Sequence, residues 1–200
     1  MSFYGLFTII VMMGFVFFVV MRQMGPTANK STIDSSIELL DERLGGKRSE
    51  FHPDERLYEI FQSDCTDPDI LKCMATEILR HCGMEPNQLE VRAEEDLQVE
   101  SAAGLYSYQN GMSMITIRVS KYARYNMILA VLIHECMHYF LRHSGIGYSD
   151  TQANEILTDT TTVYMGFYEY MYQGSVMVGY LRDSEFRYVN NVLQGKRENS

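Results

Sequence analysis

Between Arg124 and Arg142 run seventeen residues, YNMILAVLIHECMHYFL, with a single charged side chain, Glu135. The apolar period is 3.6, so the segment reads as a helix from Tyr125 to Arg142, ended by Gly145. On it stands His134-Glu135-Cys136-Met137-His138. Residues at i and i+4 are offset by only about 40° around a helix, so the two histidines share a face. Two imidazoles and a carboxylate on so apolar a helix are costly to bury without a partner. A divalent cation supplies one, since two neutral imidazoles so placed can bind one Zn²⁺ at about 2.0–2.1 Å. Glu135 is turned about 100° from His134, which puts its carboxylate beside such an ion rather than on it. There it can act as a general base toward water.

A zinc that does chemistry keeps three protein ligands, so a third is required. An HExxHxxGxxH continuation needs Gly at 141 and His at 144, and the chain has Leu141 and Ser144. His143 lies about 140° around the helix from His138 and points away. The remaining candidates are Glu155 and Asp159, an i, i+4 pair on the next helical segment. Glu155 follows His138 by 17 residues, enough for a turn and an antiparallel return. From Ile156 to Tyr168 that segment carries no other charge, so both carboxylates need partners. A zinc for Glu155 and a ligand imidazole N–H for Asp159 satisfy both.

HExxH followed on the next helix by Asn154-Glu155-x-x-x-Asp159 resembles the gluzincin metallopeptidases, the thermolysin-like clan, and among them the small single-domain minigluzincins. The resemblance spans roughly residues 100–185. It implies a zincin-like domain with His134, His138 and Glu155 as zinc ligands, Glu135 as catalytic base and Asp159 holding a histidine in its tautomer. It implies that Met112–Val119 is the edge strand that takes a peptide by β-augmentation. The large flanking domains of bigger members are missing, which implies a shallow cleft. No residue matches the family's transition-state His or Tyr; Tyr180, Tyr148 and Tyr164 are candidates for polarising a carbonyl.

The remainder organises around this pair of helices. Asp67-Pro68 opens a helix that Gly83 stops. Leu89–Ala93 alternates, and Leu105–Tyr108, Asn110-Gly111 and Met112–Val119 read as a hairpin with a type I′ turn. Ser149 with Gln152 resembles a capping box before a long helix from Thr151 to Tyr172, and Asp183 precedes a last one over 184–193. The expected class is α+β, with a small antiparallel sheet of about three strands and long helices carrying the site.

The N-terminus is of another kind. Residues 3–21 contain no charge and are long enough for the hydrocarbon core, which predicts a transmembrane helix and a single-pass membrane protein. Arg22 and Lys30 follow the span and none precedes it, which places the remainder in the cytoplasm. The expected division is an anchor over 1–22, a tether over 23–53 and the working domain over 54–195. The formal net charge of −9 sits before the site helices: residues 34–100 carry 18 acidic and 7 basic side chains, a net of −11. That balance argues against nucleic acid as a partner. Cys65, Cys73, Cys82 and Cys136 show no CxxC spacing and are assigned no metal. The expectation is therefore a membrane-anchored zinc metalloendopeptidase acting on peptides or proteins. Its alternative is a catalytically idle, metal-stabilised binding module on the same tether.

Overall fold

The structure, a computed structural model, describes residues 29–96, 102–174 and 180–195. Helices α1 (Lys30–Leu44), α2 (Glu55–Ser63) and α3 (Pro68–His81) precede three strands, β1 (Leu89–Glu95), β2 (Ala102–Gln109) and β3 (Met112–Val119). Helices α4 (Tyr125–His143), α5 (Thr151–Tyr164), α6 (Tyr168–Gly174) and α7 (Asp183–Leu193) follow. Every side chain from Ile128 to Met137 is buried, so the helix that is apolar all round is the central one. Sheet and helices pack about it, with β2 and β3 on one side and α3, α5 and α6 on others.

The sheet is mixed rather than antiparallel. Its order is β1-β3-β2, with β2 antiparallel and β1 parallel to β3. Asn110 and Gly111 both take positive φ, as the hairpin requires. The strand expected at the edge, Met112–Val119, is central, and β2 is the edge strand above α4. The alternation of a strand fixes which face it buries. It does not fix the neighbour or the polarity, and β1 reads the same whether it runs with β3 or against it.

The long helix expected over 151–172 is two. It breaks at Gly166, whose φ is +87° and where any Cβ would run into the Ser49 carbonyl. The segment 48–51 crosses there, with Arg48 N–H donating to Tyr164 O and Phe51 N–H to Gly166 O at 3.0 Å each. The cap before α5 is Asp150, which accepts from Ala153 N–H at 2.7 Å, rather than Ser149.

The expected tether over 23–53 contains a core helix. Ile33, Ile37 and Leu40 of α1 repeat at i, i+4 and i+7, are buried, and pack on α5. Tyr164 donates to Asp41 Oδ1 and Tyr188 to Asp34 Oδ1, both at 2.7 Å, and Asn29 N–H donates to Glu185 Oε1 at 3.1 Å. Five apolar residues scattered through a Ser-, Thr- and Asp-rich stretch make a weak sequence signal, and burial of Ile33, Ile37 and Leu40 against α5 is what stabilises them as a helix. The globular unit thus includes residues well before 54.

The expected transmembrane helix over 3–21 lies outside the described residues, and among those no helix is long and apolar enough to cross a membrane. A transmembrane helix followed by an antiparallel sheet is therefore not the architecture found. Among the described residues nothing supports the single-pass membrane assignment or its cytoplasmic placement.

Candidate metal centre

Helices α4 and α5 run past each other after the turn at 144–150, and their facing stripes bring three donors together. His134 Nε2 lies 3.1 Å from His138 Nε2, while Glu155 Oε2 lies 3.4 Å from the first and 3.3 Å from the second. Four donors held tetrahedrally at about 2.0–2.1 Å from one ion are separated by about 3.3 Å from each other. The three observed separations match that edge length. Among the described residues this is the one group of His, Cys, Asp or Glu side chains close enough to share an ion.

The surroundings fix which ring nitrogens carry protons. Asp159, fully buried, accepts from His134 Nδ1 at 2.8 Å, so Nε2 of the neutral ring presents a lone pair to the cluster. Thr158 donates its hydroxyl hydrogen to Asn154 O at 2.9 Å, which leaves its oxygen to accept from His138 Nδ1 at 3.3 Å. The second ring therefore also turns an Nε2 lone pair inward. With both rings neutral, two lone pairs and a carboxylate oxygen would converge at contact distance, an arrangement that repels itself and that a cation would satisfy. The residues present could hold a metal ion.

The electrostatics fit the same account. Burial alone would lower the His134 pKa, but the bonds to Asp159 and Glu155 outweigh it and hold the ring well above the usual histidine range. Burial would raise Glu155, and the two imidazoles pull it down to about 2. Without a metal the carboxylates thus retain a proton on the His134 ring, and a metal must displace that proton to bind.

Glu135 sits one position along α4 and is 5% exposed. Burial raises its pKa, and the charges of His134 and His138 oppose the rise. Its carboxylate accepts from Tyr106 N–H of β2 and lies against Gly104, where any Cβ would overlap the Glu135 carboxyl group. Gly104 has no positive φ, so the space for Glu135 is what calls for a glycine. The Tyr106 ring stacks beside His138, its plane tilted by only 7°.

These groups line an open cavity of about 480 Å³ walled by Ala102–Tyr106 of β2, Val131, Asn154 and Tyr180. A hollow of about 320 Å³ among Phe51, Tyr58, Tyr168 and Tyr170 lies apart from the donors.

The candidate tyrosines separate cleanly. Tyr180 lines the cavity, half exposed, and its N–H donates to Asp159 Oδ2 at 2.6 Å beside that of Leu181 at 2.8 Å. Tyr148 does not line the cavity, and its buried hydroxyl has no hydrogen-bond partner among the described residues. Tyr164 gives its hydroxyl to Asp41 on the far side of α5, and burial with that carboxylate raises its pKa. His143 stands away from the donors, against Ser113 and Tyr139. Cys136 is buried behind the donors, and burial pushes its thiol well up.

Sequence reasoning missed Thr158, Gly104 and Tyr106. Thr158 had a signal, since it stands three residues after Glu155 beside Asp159; Gly104 and Tyr106 had none, because only the pairing of β2 over α4 brings them to Glu135. No protein-family model matches the chain, and neither the curated proteins nor the solved structures compared with it give a match.

Proposed function

We propose that this chain is a zinc metallopeptidase of the gluzincin type, with His134, His138 and Glu155 as ligands. The observation that carries the proposal is the set of three separations of 3.1–3.4 Å between the two imidazole Nε2 atoms and the Glu155 carboxylate oxygen. Two imidazoles and one carboxylate suit zinc, and they leave a fourth position open. A zinc bound there supplies Lewis acidity, polarising a carbonyl and making water more acidic.

The chain's own groups supply the remaining chemistry. Glu135, ionised, accepts a proton from the attacking water and passes it to the leaving amine. Tyr106 N–H holds that carboxylate in place, and burial brings its pKa closer to neutrality, as a general base needs. Of the three candidate tyrosines, Tyr180 alone lines the cavity with Glu135, which supports it as the donor toward a developing oxyanion. The free edge of β2 takes the peptide backbone by strand addition, a role that passes from β3 with the observed strand order.

The test is Glu135→Gln in the zinc-loaded full chain against a peptide library. Retained zinc and cleavage reduced at least a hundredfold are expected. Undiminished cleavage would remove Glu135 as the base. Zinc binding by the unaltered chain with no cleavage of any library peptide would favour the idle, metal-stabilised module.

A further inference from the structure

Strand β2 and helix α4 face each other through a ladder of matched rungs. Gly104 lies on Glu135, Tyr106 is beside His138, and Tyr108 is under Arg142. On the strand the steps are i, i+2, i+4, the residues of one face. On the helix they are i, i+3, i+7, one stripe. The first two rungs hold the proposed base and a proposed ligand. The third lies farther along the same strand, past the rim of the cavity, and holds a guanidinium.

Arg142 is exposed, and its Cζ sits 4.1 Å from the centre of the Tyr108 ring, which steers the guanidinium without neutralising it. Among the described residues no carboxylate pairs with it. The cavity wall, by contrast, carries the carboxylates of Glu135 and Glu155 and no Lys or Arg. A position in the last turn of a helix accounts for a cation. It does not account for one aligned with the site along the edge strand and held on an aromatic face.

We propose that Arg142 is a specificity-determining residue of the cleft, reading a carboxylate on the peptide about three residues from the bond that is cut. The proposal rests on the peptidase reading above. Seven residues of helix separate Glu135 from Arg142, about 10 Å, and an extended peptide advances about 3.4 Å per residue. The carboxylate is either an Asp or Glu side chain or the C-terminus of the peptide. The two differ in where the peptide ends, and on Arg142 both make charge-assisted hydrogen bonds.

The experiment uses the zinc-loaded full chain and peptides sharing one cleavable core. One series carries Asp or Asn at the third residue on either side of the scissile bond, with an amidated C-terminus. A second series ends at the third residue as free acid or amide. In the first series kcat/KM is expected to favour Asp over Asn by about fivefold at low salt, the upper range for an exposed ion pair. The same preference for acid over amide in the second series, with none in the first, would identify the terminus as the source. Arg142→Gln should abolish whichever ratio is found, Arg142→Lys should keep part of it, and Arg142→Glu should invert it. Anisotropy titrations of the same peptides on Glu135→Gln protein should give the same ratios without turnover. Peptides cleaved with no acidic preference in either series, or with a preference unaltered in Arg142→Gln, would overturn the role of Arg142 alone. No cleavage of any peptide would overturn the peptidase reading and this inference with it.

Discussion

Replacing Asp159 by Asn probes the candidate centre without changing its shape. Asp159 is fully buried and accepts three hydrogen bonds, one from His134 Nδ1 and two from the backbone of Tyr180 and Leu181. Asparagine offers one acceptor end and one donor end. If its NH₂ faced Tyr180 and Leu181, two backbone donors would be buried unpaired, at about 1–3 kcal/mol each. If it faces His134, one contact is affected and the imidazole can answer by moving its proton from Nδ1 to Nε2. The second arrangement therefore prevails, and it removes the lone pair that Nε2 presents to the cluster. Metal affinity should fall about 10- to 100-fold, the range for losing a partner of a ligand histidine. The metal-free protein should lose only about 2 kcal/mol, as two bonds to a charged acceptor become bonds to a neutral one. Competition with a chromogenic zinc chelator reads the first quantity, and urea denaturation in EDTA reads the second. Wild-type zinc affinity in a folded Asp159→Asn protein would refute the tautomer argument and, with it, the account of how the donors are oriented.

Gly104→Ala should push the Glu135 carboxyl group off β2 and cost about 1–3 kcal/mol by overpacking. Thermal melts should show that cost shrinking in a Glu135→Ala background, and equal costs in both backgrounds would deny the contact. Ile33→Ala should destabilise the chain by about 2–5 kcal/mol, because Ile33 of α1 is fully buried against α5; a change within about 0.5 kcal/mol in urea would return residues 30–44 to a tether. In the metal-free protein Glu155 has its pKa depressed to about 2 from 4.5, so its contribution to stability is present above 4.5 and lost as pH falls toward 2. His134 is raised above 6.5, so its contribution is full below 6.5 and lost as pH rises through the folded value. The urea midpoint in EDTA should decline on both sides of that interval, and Glu155→Gln should remove most of the acid-side decline.

The helix that carries both histidines and the return of Glu155 and Asp159 were legible because each candidate pair lies on one helix or across a single turn between two helices. Spacing along a 3.6-residue period fixes a shared face wherever the helix sits. Glu135 belongs to the same local geometry. The Asn110-Gly111 turn was equally local, since it rests on two residues that tolerate positive φ.

What crosses between elements was not legible. Alternation in Leu89–Ala93 gave its buried face but not its parallel pairing with β3, and the strand that the resemblance implied as the edge, Met112–Val119, is central. Tyr148, Tyr164 and Tyr180 are alike as sequence; one hydroxyl is buried, one is bound to α1, and one residue lines the cavity because of what packs beside each. Ile33, Ile37 and Leu40 became core only because α5 offers a face to cover. The ladder from Gly104 to Arg142 arises where a 2-residue period meets a 3.6-residue one. A sequence states each period separately, and only the packing of strand on helix sets their register.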